Sequence, residues 1–202
     1  MAWEIFNIVG IAAFAISGAI VAMEEGYDFF GIYVLGLVTA FGGGIVRNLL
    51  IGVPIDSLWE EESLFLIALA AITITMLAPI FWMDHWKKWG SFFDAIGLAA
   101  FSIQRALYAV GMGHPLVAVI VAAVLTGIGG GVIRDVLAGR KPLVFRGEVY
   151  AVWAIVNGLA IGLEIVTQSW GLYLLFAVVI LFRMISVVYQ WRFPTGLFGA
   201  KG

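Results

Sequence analysis

The chain has 202 residues, of which 63% are hydrophobic and only 12% are charged, and its mean hydropathy is +1.06. Soluble domains carry about twice that charged fraction, so the composition predicts a membrane protein. The net charge of −2, without a basic stripe, excludes nucleic acid as a partner. The chain contains no cysteine and only two histidines, which excludes thiolate and histidine-cluster metal sites, and no cofactor is expected.

Seven apolar stretches are long enough to cross a bilayer, which takes about 20 mainly apolar residues. In chain order these predicted helices 1 to 7 cover about 3–23, 29–52, 63–83, 91–111, 114–138, 147–166 and 170–190. The loops between them are short, and most tryptophans lie near helix ends, as in an interfacial aromatic belt. The sequence therefore predicts an all-α membrane protein in which residues 1–202 form a single membrane domain.

The basic residues indicate how the helices are oriented in the membrane. They follow predicted helix 3, follow predicted helix 5 and occupy the C-terminal tail: Lys87, Lys88, Arg140, Lys141, Arg146, Arg192 and Lys201. All these segments share one side, and cytoplasmic loops are enriched in Lys and Arg. We expect a multi-pass protein of the cell inner (plasma) membrane, with the N-terminus outside and the C-terminus in the cytoplasm.

The chain contains an internal repeat. Residues 6–52 align without a gap on residues 93–139 at a constant offset of 87, the separation between Arg47 and Arg134. Because each copy holds three helices, an odd number, the second copy must start from the opposite side of the membrane. This predicts an inverted 3+3 repeat, with repeat one at about 3–83, repeat two at about 91–166 and an additional helix at about 170–190. Such repeats are typical of transport and permeation proteins with a path near the bilayer midplane.

A glycine triplet lies near the middle of predicted helices 2 and 5. The triplets are Gly42, Gly43 and Gly44 in the first repeat, and Gly129, Gly130 and Gly131 in the second. Glycine costs about 1 kcal/mol relative to alanine in a helix, so a kink or a break is expected at each triplet. Two interpretations stay open: the glycines form part of a permeation path, or they let two helices pack closely.

Polar residues accompany both triplets and complete the predicted site. An arginine follows each triplet at the same distance, and intramembrane charges usually face a cavity or a partner. The polar candidates are Thr39, Arg47, Asn48, Asp94, Thr126, Arg134 and Asp135. Consecutive helix positions point about 100° apart, so Arg134 is expected to pair with Asp94 or with a backbone carbonyl rather than with Asp135. Glu164 and Arg183 are expected to be satisfied residues near the membrane interface.

The residues at 42–48 and 129–135 read Gly-Gly-Gly-Ile-Val-Arg-Asn and Gly-Gly-Gly-Val-Ile-Arg-Asp. Together with the duplicated three-helix unit, the segment Gly139-Arg140-Lys141-Pro142 and a lone seventh helix, they resemble the prokaryotic TRIC family of trimeric intracellular cation channels. The resemblance implies a homotrimer in which each protomer has its own pore. It also implies monovalent cations, usually potassium, as the permeant species. The glycine-rich kinks of helices 2 and 5 would shape an hourglass pore.

Two functions remain open on these grounds. The first is a potassium channel whose partners are monovalent cations, membrane lipids and two further copies of the chain. Its arginines must then be paired, displaced from the pore axis, or offset by helix carbonyls and acids such as Asp94 and Asp135. The second is a carrier of a small zwitterion such as glycine, with Arg47 or Arg134 binding the carboxylate. The sequence lacks the common nucleophile, phosphate-loop and zinc-hydrolase motifs, so an enzyme is not expected.

Overall fold

A computed structural model of the protein describes residues 2–51, 62–77, 86–145 and 149–191. Their side chains are described at 3–45, 62–77, 88–145 and 149–191. The helices are α1 (Ala2–Glu24), α2 (Phe29–Ile51), α3 (Glu62–Leu77), α4 (Trp86–Gly111), α5 (Leu116–Leu137), α6 (Ala151–Gly162) and α7 (Ser169–Val188). A short 3₁₀ turn, Leu143–Phe145, follows α5, and no strand occurs within the described ranges. The all-α prediction with seven helices is therefore confirmed.

The helix ends follow from local chemistry, and the clearest differences from the predicted ends are the start of α4, at Trp86 instead of about 91, and both ends of α6. Gly26 and Gly139 adopt positive φ angles of 71° and 69°, a conformation that glycine enters at little cost, and they terminate α1 and α5. The observed α6 is shorter than the predicted 147–166, because the chain turns at Glu164 with a φ of 55°. The end of predicted helix 3, at 78–83, lies outside the described residues.

Several of the described helices have the length and apolar composition of membrane-spanning helices. Three described helices are long and apolar enough to cross a bilayer: Trp3–Glu24, Leu116–Leu137 and Ser169–Val188. Helices α3 and α6 are shorter apolar helices, and Phe29–Ile45, the part of α2 whose side chains are described, is likewise apolar. Helix α4 falls in neither group, and it carries Lys88, Asp94 and Arg105.

The helix packing has the symmetry of an inverted repeat. Helix α1 packs on α2 and α3, and in the second repeat α4 packs on α5 and α6 in the same way. Between the repeats, α1 contacts its counterpart α4 and α2 contacts its counterpart α5. Helix α7 packs mainly on α4. The predicted 3+3 arrangement with one additional helix is confirmed.

Two phenylalanines at the α1–α4 contact show the symmetry at atomic detail. The rings of Phe14 and Phe101 meet edge-on with centroids 5.3 Å apart. Phe101 lies against Gly10, where an added Cβ would come within 2.7 Å of the ring, and Phe14 lies equally tightly against Gly97. These glycines therefore serve the core of one protomer, because a side chain at either position would collide with the ring from the other repeat.

The glycine triplets bring α2 and α5 into backbone contact. A Cβ on Gly43 would lie 2.8 Å from the Gly130 nitrogen and 3.1 Å from the Thr126 carbonyl oxygen. A Cβ on Gly130 would collide with the Thr39 carbonyl oxygen. Both helices continue through their triplets, so the expected break does not occur. We call this contact the glycine crossing; close packing is the role of Gly43 and Gly130 in this conformation.

Candidate functional site

A buried ion-pair cluster lies beside the glycine crossing, on α4 and α5. Arg134 is only 2% exposed, and its Nη1 donates hydrogen bonds of 2.7 Å to both Asp94 Oδ1 and Ser17 Oγ. Its Nε donates to Asp135 Oδ1 at 2.9 Å. A buried charge is tolerated only when it is paired and hydrogen-bonded, and two carboxylates meet that requirement for one guanidinium. We call Arg134, Asp94 and Asp135 the Arg134 cluster.

The pairing of Arg134 corrects one sequence-based expectation. Arg134 binds Asp94, as expected, but it also binds Asp135, and its Nη2 lies 2.8 Å from Asp135 Oδ1. The expected separation of 100° applies to the directions of the two Cα–Cβ bonds. The arginine side chain is long enough to bend towards Asp135 in spite of this separation. The other carboxylate oxygen of Asp135 accepts a 3.0 Å hydrogen bond from the Leu143 backbone nitrogen, which ties the segment after α5 to the cluster.

The cluster is also surrounded by three residues that the sequence analysis did not select as site residues: Ser17 on α1, Tyr150 just before α6 and Arg183 on α7. On α1, Ser17 donates to the Gly90 carbonyl oxygen at 3.2 Å. A Cβ on Gly131 would lie 2.8 Å from Tyr150 Oη and 3.1 Å from Asp94 Oδ1, so only glycine fits there. On α7, the guanidinium of Arg183 lies 4.6 Å from the centre of the Tyr150 ring. Arg183 is fully buried within the protein, and its predicted place near the membrane interface stays a prediction.

A cavity of about 570 Å³ leads from one end of the bundle to this cluster. It lies where α1 and α5 end and α4 begins, and its charged lining comprises Glu24, Glu25, Lys88, Arg134, Asp135 and Arg140. At its rim, Arg140 Nη1 donates to Glu24 Oε2 at 2.7 Å, and Arg140 Nε donates to Glu25. The rim thus joins the end of α5 in repeat two to the end of α1 in repeat one.

The remaining predicted residues lie at the glycine crossing or beyond the described side chains. Thr39 is fully buried and donates to the Leu35 carbonyl oxygen at 2.6 Å. Its counterpart Thr126 is equally buried. Arg47 and Asn48 belong to α2, but their side chains lie outside the described set. The structure therefore brings Asp94, Arg134 and Asp135 together, next to the second glycine triplet.

The other triplet members differ between the repeats. Gly131 is enclosed by the cluster, whereas no atom of the described residues lies within 4 Å of a Cβ placed on its counterpart Gly44. A Cβ on Gly42 would lie 2.9 Å from the end of the Ile133 side chain. The two copies thus share their backbone arrangement but not the surroundings of their third glycine.

Comparison with known proteins finds matches over nearly the whole chain. The model of a family described as glycine transporter matches residues 4–80 and again residues 91–163, once in each repeat. The UPF0126 membrane protein YvgT of Bacillus subtilis is 62% identical over 198 residues, which is 98% of either chain.

Two solved structures extend the comparison to the fold. One TRIC cation channel is 33% identical, covers 100% of both chains and superposes with a TM-score of 0.81. The TRIC orthologue from Rhodobacter sphaeroides is 28% identical over 93% of this chain and 98% of its own, with a TM-score of 0.83. This chain therefore belongs to the membrane-protein family described as glycine transporter, and it is a relative of the prokaryotic TRIC channels with the same fold.

Proposed function

We propose that the protein is a channel for monovalent cations, with potassium as the principal ion. Each protomer of a homotrimer would hold its own path around α2 and α5. The observation that carries the proposal is the 570 Å³ cavity, which reaches from one end of the bundle to the Arg134 cluster beside the glycine crossing. The likeness to solved TRIC cation channels supports the same function.

The electrostatics of the Arg134 cluster suit a cation path. An isolated arginine at a constriction would repel cations, but Arg134 contacts two carboxylates at 2.7 Å and 2.8 Å. One positive and two negative charges leave these three residues with a net charge of −1. Of the three arrangements that reconcile an intramembrane arginine with a cation path, pairing with acids is therefore the one we propose for Arg134.

The glycine crossing is closed in this conformation. Gly43 and Gly130 bring the backbones of α2 and α5 together, so an ion cannot pass between these two residues. We propose that conduction requires α2 and α5 to separate at the crossing. The whole triplets, Gly42–Gly44 and Gly129–Gly131, would then line the narrow part of the path, with Thr39 and Thr126 beside it.

A carrier of a small zwitterion such as glycine is the second candidate, favoured by the description of the matching family. In that function a substrate carboxylate would bind an arginine. The Nε, Nη1 and Nη2 atoms of Arg134 already contact Asp94, Asp135 and Ser17. A substrate would have to displace one of these groups, which makes the channel the better supported function.

The orientation in the membrane is part of the proposal. Lys88 and Arg140 line the same cavity, so the segments after predicted helices 3 and 5 meet at one end of the bundle. By the positive-inside rule we place this end in the cytoplasm and the N-terminus outside. The chain would form a single membrane domain of the cell inner membrane, in contact with lipids.

Flux into liposomes that hold the purified protein tests the proposal. We expect potassium entry that follows an imposed voltage without an added ionophore and does not saturate with glycine. Gly130→Leu should abolish this flux, because the side chain would fill the gap through which an ion must pass at the crossing, whereas Gly111→Leu, which meets open space at the end of α4, is the matched control. Saturable glycine uptake without potassium conductance would instead establish the carrier.

A further inference from the structure

Helix α5 turns one side towards α2 at the level of the glycine crossing. Three residues of α5 lie against the first glycine triplet and mark this side: Gly129, Gly130 and Ile133. At 100° per residue, the next glycine, Gly131, points about 150° away from the middle of this side. A Cβ on Gly131 would lie 2.8 Å from Tyr150 Oη and 3.1 Å from Asp94 Oδ1. Tyr150 therefore lies behind α5, opposite α2.

The neighbouring turn of α5 shows the same arrangement. Gly127 lies four positions before Gly131 and thus on the same side of the helix. A Cβ on Gly127 would lie 3.2 Å from the Leu98 carbonyl oxygen of α4 and 3.6 Å from Ala154 Cβ of α6. Helix α5 is therefore packed between α2 on one side and α4, α6 and Tyr150 on the other.

Tyr150 is fastened to α7, the helix without a counterpart in the repeat. Its ring is buried, and the guanidinium of Arg183, which is also buried, lies 4.6 Å from the ring centre, within reach of a cation–π interaction. One residue earlier, the Val149 backbone nitrogen donates to the Trp191 carbonyl oxygen, just after α7, at 3.2 Å. Both the ring and the adjoining backbone are thus held, so Gly131 faces a fixed group.

Opening of the glycine crossing conflicts with this contact. If α5 leaves α2, it moves towards the side on which Gly131 meets Tyr150. A Cβ at 2.8 Å from the hydroxyl oxygen would be closer than van der Waals contact, so the hydroxyl already rests against the backbone of α5. Closely packed interiors offer no free space for such a shift. Tyr150 must therefore be displaced before α5 can move away from α2.

We propose that Tyr150 is a positioning residue that holds α5 against α2 and so keeps the glycine crossing closed. The inference rests on the proposed channel function. Arg183 fixes the Tyr150 ring, so α7 takes part in gating although it does not belong to the repeat. Displacement of the Tyr150 ring is then a step in opening, and the contact with α7 sets how easily it occurs.

Removal of the hydroxyl tests the contact directly. Tyr150→Phe deletes the oxygen that lies against Gly131 but keeps the ring beside Arg183. We expect the voltage-driven potassium flux into liposomes to rise severalfold, because α5 gains room to leave α2, whereas mere damage to the fold would lower the flux. Tyr173→Phe is the matched control. It removes the hydroxyl of a tyrosine on α7 that is 40% exposed, and flux should stay at the parental level.

A second substitution separates the space that the hydroxyl fills from its polarity. Gly131→Ala directs a methyl group at Tyr150 Oη, so it should press α5 towards α2 and lower the flux severalfold. Adding Tyr150→Phe removes the oxygen that the methyl group meets. We expect the flux to recover in part, since Asp94 Oδ1 remains 3.1 Å from the methyl position. Flux in the double variant that stays at the level of Gly131→Ala would overturn the inference.

Hydrogen–deuterium exchange keeps the inference separate from the channel proposal, because it reports local opening without any ion flux. We expect the backbone amides of residues 129–133 to exchange severalfold faster in Tyr150→Phe than in the parent or in Tyr173→Phe. A parent without potassium flux but with this faster exchange in Tyr150→Phe would refute the channel and support the inference. Parental exchange in Tyr150→Phe, or parental flux through it in a conducting protein, would overturn the inference.

Discussion

Replacement of glycine by alanine should have opposite effects on stability at two positions in the triplets. Gly130 contacts the other helix at the glycine crossing, whereas Gly44 faces open space. In Gly130→Ala the new methyl group meets the Thr39 carbonyl oxygen and the Phe14 ring, with the ring atoms 3.0 Å and 3.1 Å away. The carbonyl belongs to a helix backbone, so relief requires α2 and α5 to move apart by on the order of 1 Å. In Gly44→Ala the methyl group meets no described atom within 4 Å.

Comparison of Gly130→Ala with Gly44→Ala isolates the free-energy cost of the close contact between the two helices. Either substitution gains about 1 kcal/mol from the better helix propensity of alanine, and this gain cancels in the comparison. Overpacking of a close contact typically costs about 1–3 kcal/mol. We therefore expect Gly130→Ala to be less stable than Gly44→Ala by about 1–3 kcal/mol, and Gly44→Ala to be no less stable than the parent.

Equilibrium unfolding in mixed detergent micelles, followed by the fluorescence of the eight tryptophans, measures this difference. Gly43→Ala serves as a second close-contact variant, since its methyl group would lie 2.8 Å from the Gly130 nitrogen. If Gly130→Ala and Gly44→Ala agree within about 0.5 kcal/mol, the usual limit of such comparisons, the helices are not held together by this contact and the reasoning fails.

Three further substitutions test other contacts. Arg134→Met removes the positive charge of the Arg134 cluster and leaves two buried carboxylates without it, so we expect a loss of about 3–5 kcal/mol in the same unfolding assay; parental stability would show that the charge is not needed. Arg140→Gln breaks a partly exposed pairing at the cavity rim and should change stability by no more than about 1 kcal/mol, and a larger loss would contradict this. Phe14→Ala should cost about 3–5 kcal/mol, and adding Gly97→Ala should recover part of it because the vacated space accepts a methyl group; a double-mutant cycle without such coupling would refute the contact.

The internal alignment was sufficient to predict most of the fold. A gapless offset of 87 residues with three helices per copy requires an inverted pair, and the reciprocal contacts of Phe14 with Gly97 and of Phe101 with Gly10 follow directly from it. The path between the helices was harder to predict. Whether a glycine opens a helix or admits a neighbouring backbone depends on the distance to that neighbour, which the sequence does not contain.

The candidate site was predicted in part. Arg134 and Asp94 stand out as charges within apolar helices, so composition alone indicates that they matter. The pairing with Asp135 was missed because a rule about bond directions was applied to a long, flexible side chain. Ser17 and Tyr150 were missed because an uncharged residue carries no signal until its contacts with the Arg134 cluster in the folded protein are known.

The position of the cavity has an electrical consequence. A wide vestibule filled with water would conduct far better than closely packed helices, so little of a transmembrane voltage would fall across the cavity, and nearly all of it would fall across the glycine crossing and the half of the bundle beyond it. Moving one charge through the full voltage is worth about 2.3 kcal/mol per 100 mV. An ion that enters the cavity as far as its Glu24, Glu25 and Arg140 rim would gain little of this energy, whereas an ion that moves through the crossing and the half of the bundle beyond it would gain most of it. A blocking ion bound at the rim would therefore show weak voltage dependence, and one lodged at Gly130 would show steep voltage dependence.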